Sequence, residues 1–308
     1  MKRLACLAAL AASFQVLDAS AVELSRFRTM HDTDWTQAGL GGMRGVGEGA
    51  IELTGITGTV SAAYLYWHGP TSSNDPASNA QVVFGDTSIT GTNIGTSGDN
   101  FWDAFNSQAY RADVTTLVTG NGSYALSGFF KEHADVNGAS LIVFFDDGNA
   151  ANNRDVVLLD GNDANWDNPN DLYGWTASLP GLRYIGGEAS VTLHVSDGQD
   201  FPDGDLVLNG APLASGAVFE GNSTAFAAGG VDNGRLWDIA TFSVTSALQA
   251  GGNALFLSHE PANDALSLVV MAVDLPVGAA PPVPEPSTYA LMLAGILGVG
   301  WGARRQRR

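Results

Sequence analysis

The chain has 308 residues and a formal net charge of −18, because 32 aspartates and glutamates face only 14 lysines and arginines. Such an acidic surface repels nucleic acid and anionic lipid, which excludes nucleic-acid binding, and it suits divalent cations and neutral sugars. The single cysteine, Cys6, lies in the N-terminal segment described next. Once that segment is removed, the remaining chain can form no disulfide, cysteine-bound metal site or catalytic thiol.

The first 21 residues have the pattern of a secretory signal peptide. Lys2 and Arg3 form the positive start, and an apolar stretch follows from residue 4 to residue 17. The small residues Ala19 and Ala21 then match a cleavage site, and we predict cleavage after Ala21. The sequence therefore predicts export through the inner membrane.

Residues 22–276 have the pattern of short β-strands separated by turns rich in glycine, asparagine and aspartate. Residues 62–67 and 140–145 are apolar runs of strand length without helical periodicity. Helix patterns are nearly absent before residue 287. The sequence therefore predicts an all-β protein with a β-sandwich architecture.

Several segments of this body recur in the same order after about 125 to 130 residues. Residues 82–89 parallel 207–213, residues 110–127 parallel 241–258, and residues 140–143 parallel 267–270. We therefore predict two tandem β-sandwich domains, at 22–148 and 149–276. The body broadly resembles the jelly-roll-like domains of bacterial surface proteins, and this resemblance implies no site residues.

The sequence contains no catalytic motif of a common kind. No Gly-x-Ser-x-Gly elbow occurs, and no two histidines have the spacing of a zinc site. We therefore predict that the chain is not an enzyme. A secreted glycan hydrolase is a further alternative, which would need two carboxylates in one cleft.

Two aspartate-rich segments, at 160–171 and 197–205, are candidates for binding calcium. Calcium takes six to eight oxygen ligands, and closely spaced carboxylates on turns can supply several of them. The candidate ligands are Asp163, Asn165, Asp167, Asp203 and Asp205.

The same residue types also build ordinary turns, so both interpretations stay open. The first segment is not an EF-hand, because Asn168 stands where that loop needs glycine and Gly174 where it needs glutamate. No cofactor is predicted apart from this calcium alternative. The neighbouring aromatic residues Trp166, Tyr173 and Trp175 are predicted to be exposed and are candidates for stacking on sugar rings, although ordinary packing in a β-sandwich would give the same pattern.

The C-terminal segment combines three features in a fixed order. A proline-rich linker, 277–286, holds the triplet Pro284, Glu285 and Pro286. The apolar residues 287–303 would form a helix of about 25 Å, short for a bilayer but within the range that tilt accommodates. The segment 304–308 is cationic, which favours the cytoplasmic side of the membrane. Its arginines are Arg304, Arg305, Arg307 and Arg308.

This segment resembles the PEP-CTERM sorting signal of Gram-negative bacteria, which consists of a Pro-Glu-Pro triplet, a glycine-rich transmembrane helix and an arginine-rich end. The resemblance covers about 25 residues. It implies recognition and cleavage near the triplet by an exosortase, an integral-membrane cysteine transpeptidase. It also implies a bacterium that makes exopolysaccharide.

Together these features predict an exported, non-enzymatic protein of the cell surface or extracellular matrix. Its expected partners are an exosortase, the inner membrane before processing and an exopolysaccharide. The membrane anchor would be transient. The alternative is a secreted module that binds calcium or carbohydrate.

Overall fold

The computed structural model describes residues 23–166, 168–169 and 172–282. These residues form 18 β-strands and one short 3-10 turn, Thr245–Ala247, so the all-β prediction is confirmed. The strands are β1 Ser25–Gly41, β2 Gly49–Leu53, β3 Thr59–Thr71, β4 Gln81–Phe84, β5 Thr87–Thr90, β6 Thr92–Ser97, β7 Asn106–Asp113, β8 Gly122–Ser127, β9 Gly138–Asp146, β10 Arg154–Ala164, β11 Thr176–Leu182, β12 Ser190–Ser196, β13 Gly204–Leu208, β14 Ala211–Gly216, β15 Ala225–Phe226, β16 Trp237–Ser243, β17 Asn253–Pro261 and β18 Ser267–Pro276.

The strands form four layers. The first outer sheet has the order β2-β8-β4-β5, and the second outer sheet has the order β11-β17-β13-β14. Between them lie a first inner sheet, β1-β9-β3-β7-β6, and a second inner sheet, β1-β10-β18-β12-β16. Apart from a short parallel contact between β1 and β15, the ladders between these strands are antiparallel, which is consistent with β-sandwich packing.

Strand β1 belongs to both inner sheets and joins them into one hydrogen-bonded sheet. Its first part pairs with β10, from Ser25 to Thr33, and its second part pairs with β9, from Asp34 to Leu40. The change of partner coincides with a register irregularity and with Asp32 at φ 52°. The division predicted at residues 148 and 149 falls in the turn between β9 and β10, and it stays a prediction.

Three apolar cores separate the four layers. One core lies between the first outer and first inner sheets, another between the second inner and second outer sheets, and the third between the two inner sheets. Along β3, Ala63, Leu65 and Trp67 face the first core, whereas Tyr64 and Tyr66 face the core between the inner sheets. A strand covered on both faces needs apolar residues at every position, which explains the continuous apolar runs in the sequence.

The two halves of the structure have the same strand order. In the inner sheets, β1, β9, β3 and β7 of the first half occupy the places of β10, β18, β12 and β16 in the second. In the outer sheets, β2, β8, β4 and β5 correspond to β11, β17, β13 and β14. Each pair of recurring sequence segments lies in corresponding strands.

The predicted signal peptide, 1–21, the transmembrane helix, 287–303, and the arginine tail lie outside the described residues. Within the part of the chain that the structure describes, no helix has the length and apolar character needed to cross a bilayer.

Candidate functional site

The loops of the molecule lie at two opposite ends, which β18 connects. Its first residue, Ser267, neighbours the loops that follow β6, β10 and β12, and we call this the loop end. Its last residue, Pro276, leads into residues 277–282, and we call this the tail end. Strands β10 and β12 run antiparallel to β18, so Trp166 and Asp197, which follow them, both lie at the loop end.

Three aromatic side chains form a cluster at the loop end. The ring centres of Phe101 and Trp166 are 6.1 Å apart, and those of Trp166 and Tyr173 are 5.6 Å apart, both with edge-to-face geometry. Phe101 is 76% exposed and Tyr173 is 53% exposed, whereas Trp166 is half-buried. We call these three residues the aromatic cluster. They present an apolar surface to solvent.

The sequence prediction that Trp175 is exposed is wrong. Trp175 is fully buried in the core between the second inner and second outer sheets. Its ring centre lies 4.3 Å from that of His259 and 5.9 Å from that of Phe219. Tyr173 lies two residues earlier, outside this core, and its hydroxyl donates to the carbonyl of Pro261 at 3.2 Å.

The loop between β6 and β7 holds Phe101 in an unfavourable backbone conformation. Asn100, Phe101 and Asp103 have φ of 55°, 65° and 58°, in the left-handed region that bulky residues avoid. The Asp99 carboxylate stabilises the loop by accepting hydrogen bonds from the backbone N–H groups of Phe101, at 3.2 Å, and Ala104, at 2.8 Å. The loop is therefore strained, yet held in one shape.

A charged cluster fixes this loop to the second half of the protein. The indole N–H of Trp102 donates to the buried carboxylate of Asp197, and the Arg44 guanidinium carbon lies 3.9 Å from the centre of a Trp102 ring. Arg44 also donates through Nε to Asn137 Oδ1 at 3.0 Å. Burial raises the pKa of Asp197 to about 7, and Arg44 and Trp102 partly oppose that increase.

Two buried histidines connect the inner sheets. His68 Nδ1 lies 2.7 Å from the hydroxyl of Ser196, and His194 Nε2 lies 2.8 Å from the amide oxygen of Gln37. Burial lowers the pKa of each histidine to about 3. Both rings are therefore neutral at physiological pH. These hydrogen bonds give the histidines a structural role in joining the two halves.

In the first segment, the candidate calcium ligands Asp163 and Asn165 form hydrogen bonds with backbone groups. Asp163 accepts a hydrogen bond from the N–H of Thr176 at 3.2 Å. Asn165 donates to the carbonyl of Asp264 at 2.9 Å and accepts from the N–H of Leu266 at 2.8 Å. Asp167 lies outside the described residues.

In the second segment, the buried Asp203 carboxylate accepts from the N–H groups of Val218 and Phe219, whereas Asp205 is exposed on β13. Across the described ranges, no group of three or more histidine, cysteine, aspartate or glutamate side chains is arranged to hold a metal ion. Calcium binding stays a prediction.

Burial also raises the pKa of two carboxyl groups at the loop end, those of Asp203 and Asp264. The pKa of Asp203 is raised to about 6 and that of Asp264 to about 8. The negative charges of Asp197 and Asp203 add to the effect at Asp264. Because a buried carboxylate loses its hydration, protonation relieves part of the cost.

An acidic groove of about 400 Å³ lies beside the loop that follows β12. Its aromatic residue, Phe226, is exposed, and the Arg235 guanidinium carbon is 4.8 Å from the centre of the Phe226 ring. The polar side chains of the lining are three carboxylates, two amides and one guanidinium: Asp200, Glu220, Asp232, Asn222, Asn233 and Arg235.

The sequence analysis missed Arg44, Phe101 and Trp102. One signal was present: residues 98–105 contain the turn-forming residues Gly98, Asp99 and Asn100 next to three aromatic residues. Aromatic residues in a turn that lacks a strand pattern are candidates for exposure. The packing of Arg44 on Trp102 had no such signal, since the two residues are far apart in the sequence.

Comparison with known protein families adds the decisive observation at the C-terminal segment. A family model for the PEP-CTERM protein-sorting motif matches residues 282–308. The chain carries a PEP-CTERM sorting motif. This match confirms the resemblance carried by Pro284, Glu285 and Pro286, and no curated protein matches the chain.

The PEP-CTERM motif implies an exported protein that an exosortase processes during membrane-associated sorting in Gram-negative bacteria. The motif begins one residue after Pro281, which is buried at the tail end. The buried Asp155 carboxylate accepts from the N–H groups of Gly278, at 2.9 Å, and Ala280, at 3.2 Å. Within the linker predicted at 277–286, residues 279–281 therefore pack against the body directly before the PEP-CTERM motif.

Proposed function

We propose that the chain is a non-enzymatic protein of the cell surface or extracellular matrix, which an exosortase releases from a transient membrane anchor. The match of the PEP-CTERM motif to residues 282–308 carries this proposal. Residues 287–303 would span the inner membrane before processing, and the arginine tail would stay in the cytoplasm. The acidic β body would lie outside and associate with exopolysaccharide in a biofilm.

Two variants test the sorting step in the native bacterium. The first deletes residues 284–308, and the second replaces Pro284, Glu285 and Pro286 by alanine but keeps the apolar and cationic segments. We expect the deletion to abolish retention in the membrane fraction. We expect the alanine variant to accumulate there uncleaved, as the wild-type chain would in a strain without exosortase. Recovery of an extracellular wild-type chain whose mass includes residues 287–308 would contradict the proposal.

The second candidate function is a secreted module that binds carbohydrate or calcium. The exposed aromatic cluster favours carbohydrate, because aromatic rings offer large, rigid apolar faces next to polar groups. For calcium, thermal unfolding in millimolar calcium and in EDTA is the direct test. If the unfolding temperature is the same in calcium and in EDTA, the calcium-binding alternative is wrong.

A further inference from the structure

We propose that the aromatic cluster of Phe101, Trp166 and Tyr173 is a binding site for a neutral polysaccharide. This inference rests on the proposed export, because an exported body is the one that meets extracellular polysaccharide. It extends the proposed function by naming the surface and the chemical class of its ligand.

The backbone strain at Phe101 supports a role in binding. A bulky residue in the left-handed region costs on the order of 1–3 kcal/mol. Burial of the ring would offset that cost, yet Phe101 is 76% exposed. Asp99 and Trp102 hold the loop in this shape, and the Asn100 amide donates to the Ser267 hydroxyl at 3.1 Å. The loop therefore presents its ring to solvent in a fixed, strained conformation that burial of the ring itself does not offset.

The other two rings are also fixed in orientation. The Trp166 indole N–H donates to the carbonyl of Asp264 at 3.2 Å, and the Tyr173 hydroxyl donates to the carbonyl of Pro261 at 3.2 Å. Neighbouring rings meet nearly at right angles, with interplanar angles of 77° and 89°, so the cluster forms an angled apolar surface rather than a flat row. A preorganised group of rings loses little conformational entropy on binding. The cluster therefore suits a ligand whose sugar rings offer apolar C–H faces.

The charge around the cluster selects a neutral ligand. The exposed Asp103 and the half-buried Asp99 lie on the same loop as Phe101, and the whole chain carries a net charge of −18. Carboxylate oxygens accept hydrogen bonds from sugar hydroxyls but repel uronates, sulfates and phosphates. A neutral glycan offers both apolar C–H faces for the rings and hydroxyl donors for this rim.

The position of the cluster also suits an extracellular ligand. Strand β18 separates the loop end from the tail end by ten residues, about 33 Å. The PEP-CTERM motif follows the tail end. While the tail holds the chain at the membrane, the aromatic cluster is therefore at the end of the body remote from the attachment point.

The test measures binding of the full-length protein, purified in a detergent without a sugar headgroup, to soluble polysaccharides. A neutral β-glucan, a neutral α-glucan and a polyuronate are compared by affinity electrophoresis and titration calorimetry. The variants are Phe101→Ala and Tyr173→Ala. The matched control is Phe256→Ala, which removes an exposed aromatic ring from β17 in the second outer sheet. Thermal unfolding verifies that each variant is folded.

We expect binding to at least one neutral glucan, weakened about tenfold or more by each cluster variant and unchanged by Phe256→Ala. Absence of binding to both neutral glucans would overturn the inference, as would equal losses in all three variants or stronger binding to the polyuronate. Analytical ultracentrifugation tests whether a second copy of the chain occupies the cluster instead. A wild-type dimer that Phe101→Ala dissociates would assign the cluster to that contact and overturn the inference. Cell fractionation reports on sorting separately, so the two proposals can fail independently.

Discussion

The Trp102 indole nitrogen lies 2.8 and 2.7 Å from the two carboxylate oxygens of Asp197, which joins the β6–β7 loop of the first half to the end of β12 in the second. The Arg44 guanidinium covers the same indole ring. One tryptophan thus links the loop that presents Phe101 to the interface between the inner sheets. The shape of the aromatic cluster therefore depends on contacts between the two halves of the protein.

Replacing Trp102 by phenylalanine removes the N–H donor and keeps an aromatic ring under Arg44. We expect the free energy of unfolding to fall by about 1.5–3 kcal/mol at pH 8, where the hydrogen bond is made to an ionised carboxylate. Urea unfolding at pH 6 and pH 8 measures this loss, which should be smaller at pH 6. The control is Trp166→Phe, which removes a donor to a neutral carbonyl. Equal losses in the two variants at both pH values would contradict the role of Asp197.

Stability should decrease between pH 6.5 and pH 8. Burial raises the pKa of Asp197 to about 7 and that of Asp264 to about 8, so the folded protein keeps protons that the unfolded chain has released. This stabilisation is complete below the ordinary aspartate pKa of 3.8, and it is lost as the pH rises from there to the folded values of about 7 and about 8. The buried histidines His68, His194 and His259 act in the opposite direction, mainly below their ordinary pKa of 6.5. Melting temperatures across this range measure the decrease.

Asp264→Asn provides the matched test of that pH dependence. The asparagine oxygen can still accept the hydrogen bond from the N–H of Gln199, which is 2.9 Å from the Asp264 carboxylate. We expect the variant to lose less stability than the wild type between pH 6.5 and pH 8. Asp205→Asn, at an exposed position on β13, should behave like the wild type. If the stability of Asp264→Asn fell with pH as steeply as that of the wild type, Asp264 would not be a source of the pH dependence.

Asp155 should hold the segment that precedes the sorting motif. Its carboxylate accepts from the N–H groups of Asp32, Gly278 and Ala280, at 3.1, 2.9 and 3.2 Å. Asp155→Ala leaves three backbone donors without this acceptor, and we expect a loss of about 3 kcal/mol or more. Limited proteolysis should then cut residues 277–282 faster. The exposed Asp146→Ala at the same end is the control, and equal cleavage rates in the two variants would refute the role of Asp155.

Gly91 should tolerate no side chain, because it lies against the buried ring of Trp67. A Cβ atom there would be 2.7 Å from Cζ2 of that ring. Trp67 cannot move easily, since it stacks on Tyr110 at 5.4 Å and donates to the carbonyl of Asn79 at 3.0 Å. We expect Gly91→Ala to cost about 1–3 kcal/mol in chemical unfolding. Gly120→Ala, with no atom within 4 Å of the added carbon, should be near neutral, and a similar loss in both would argue against overpacking.

The sequence predicted the strand content of the inner sheets but not their partners. The apolar runs at 62–67 and 140–145 became β3 and β9, because a strand covered on both faces has no polar positions. The same pattern does not reveal which layer covers each face. The division of β1 between two inner sheets had no signal either, since its hydrogen-bonding partners lie 99 or more residues away along the chain.

By itself the sequence determined the all-β class and the sorting motif, because strand formation follows local patterns and an exosortase signal is a linear segment. Only the tertiary structure decided which residues near the aspartates are accessible: Tyr173 is exposed, whereas Trp175, two positions later, is buried against Phe219 and His259. It also brought Phe101 to Trp166 across 65 residues of chain. Exposure depends on what packs against a side chain, and that is a property of the assembled layers rather than of any one segment.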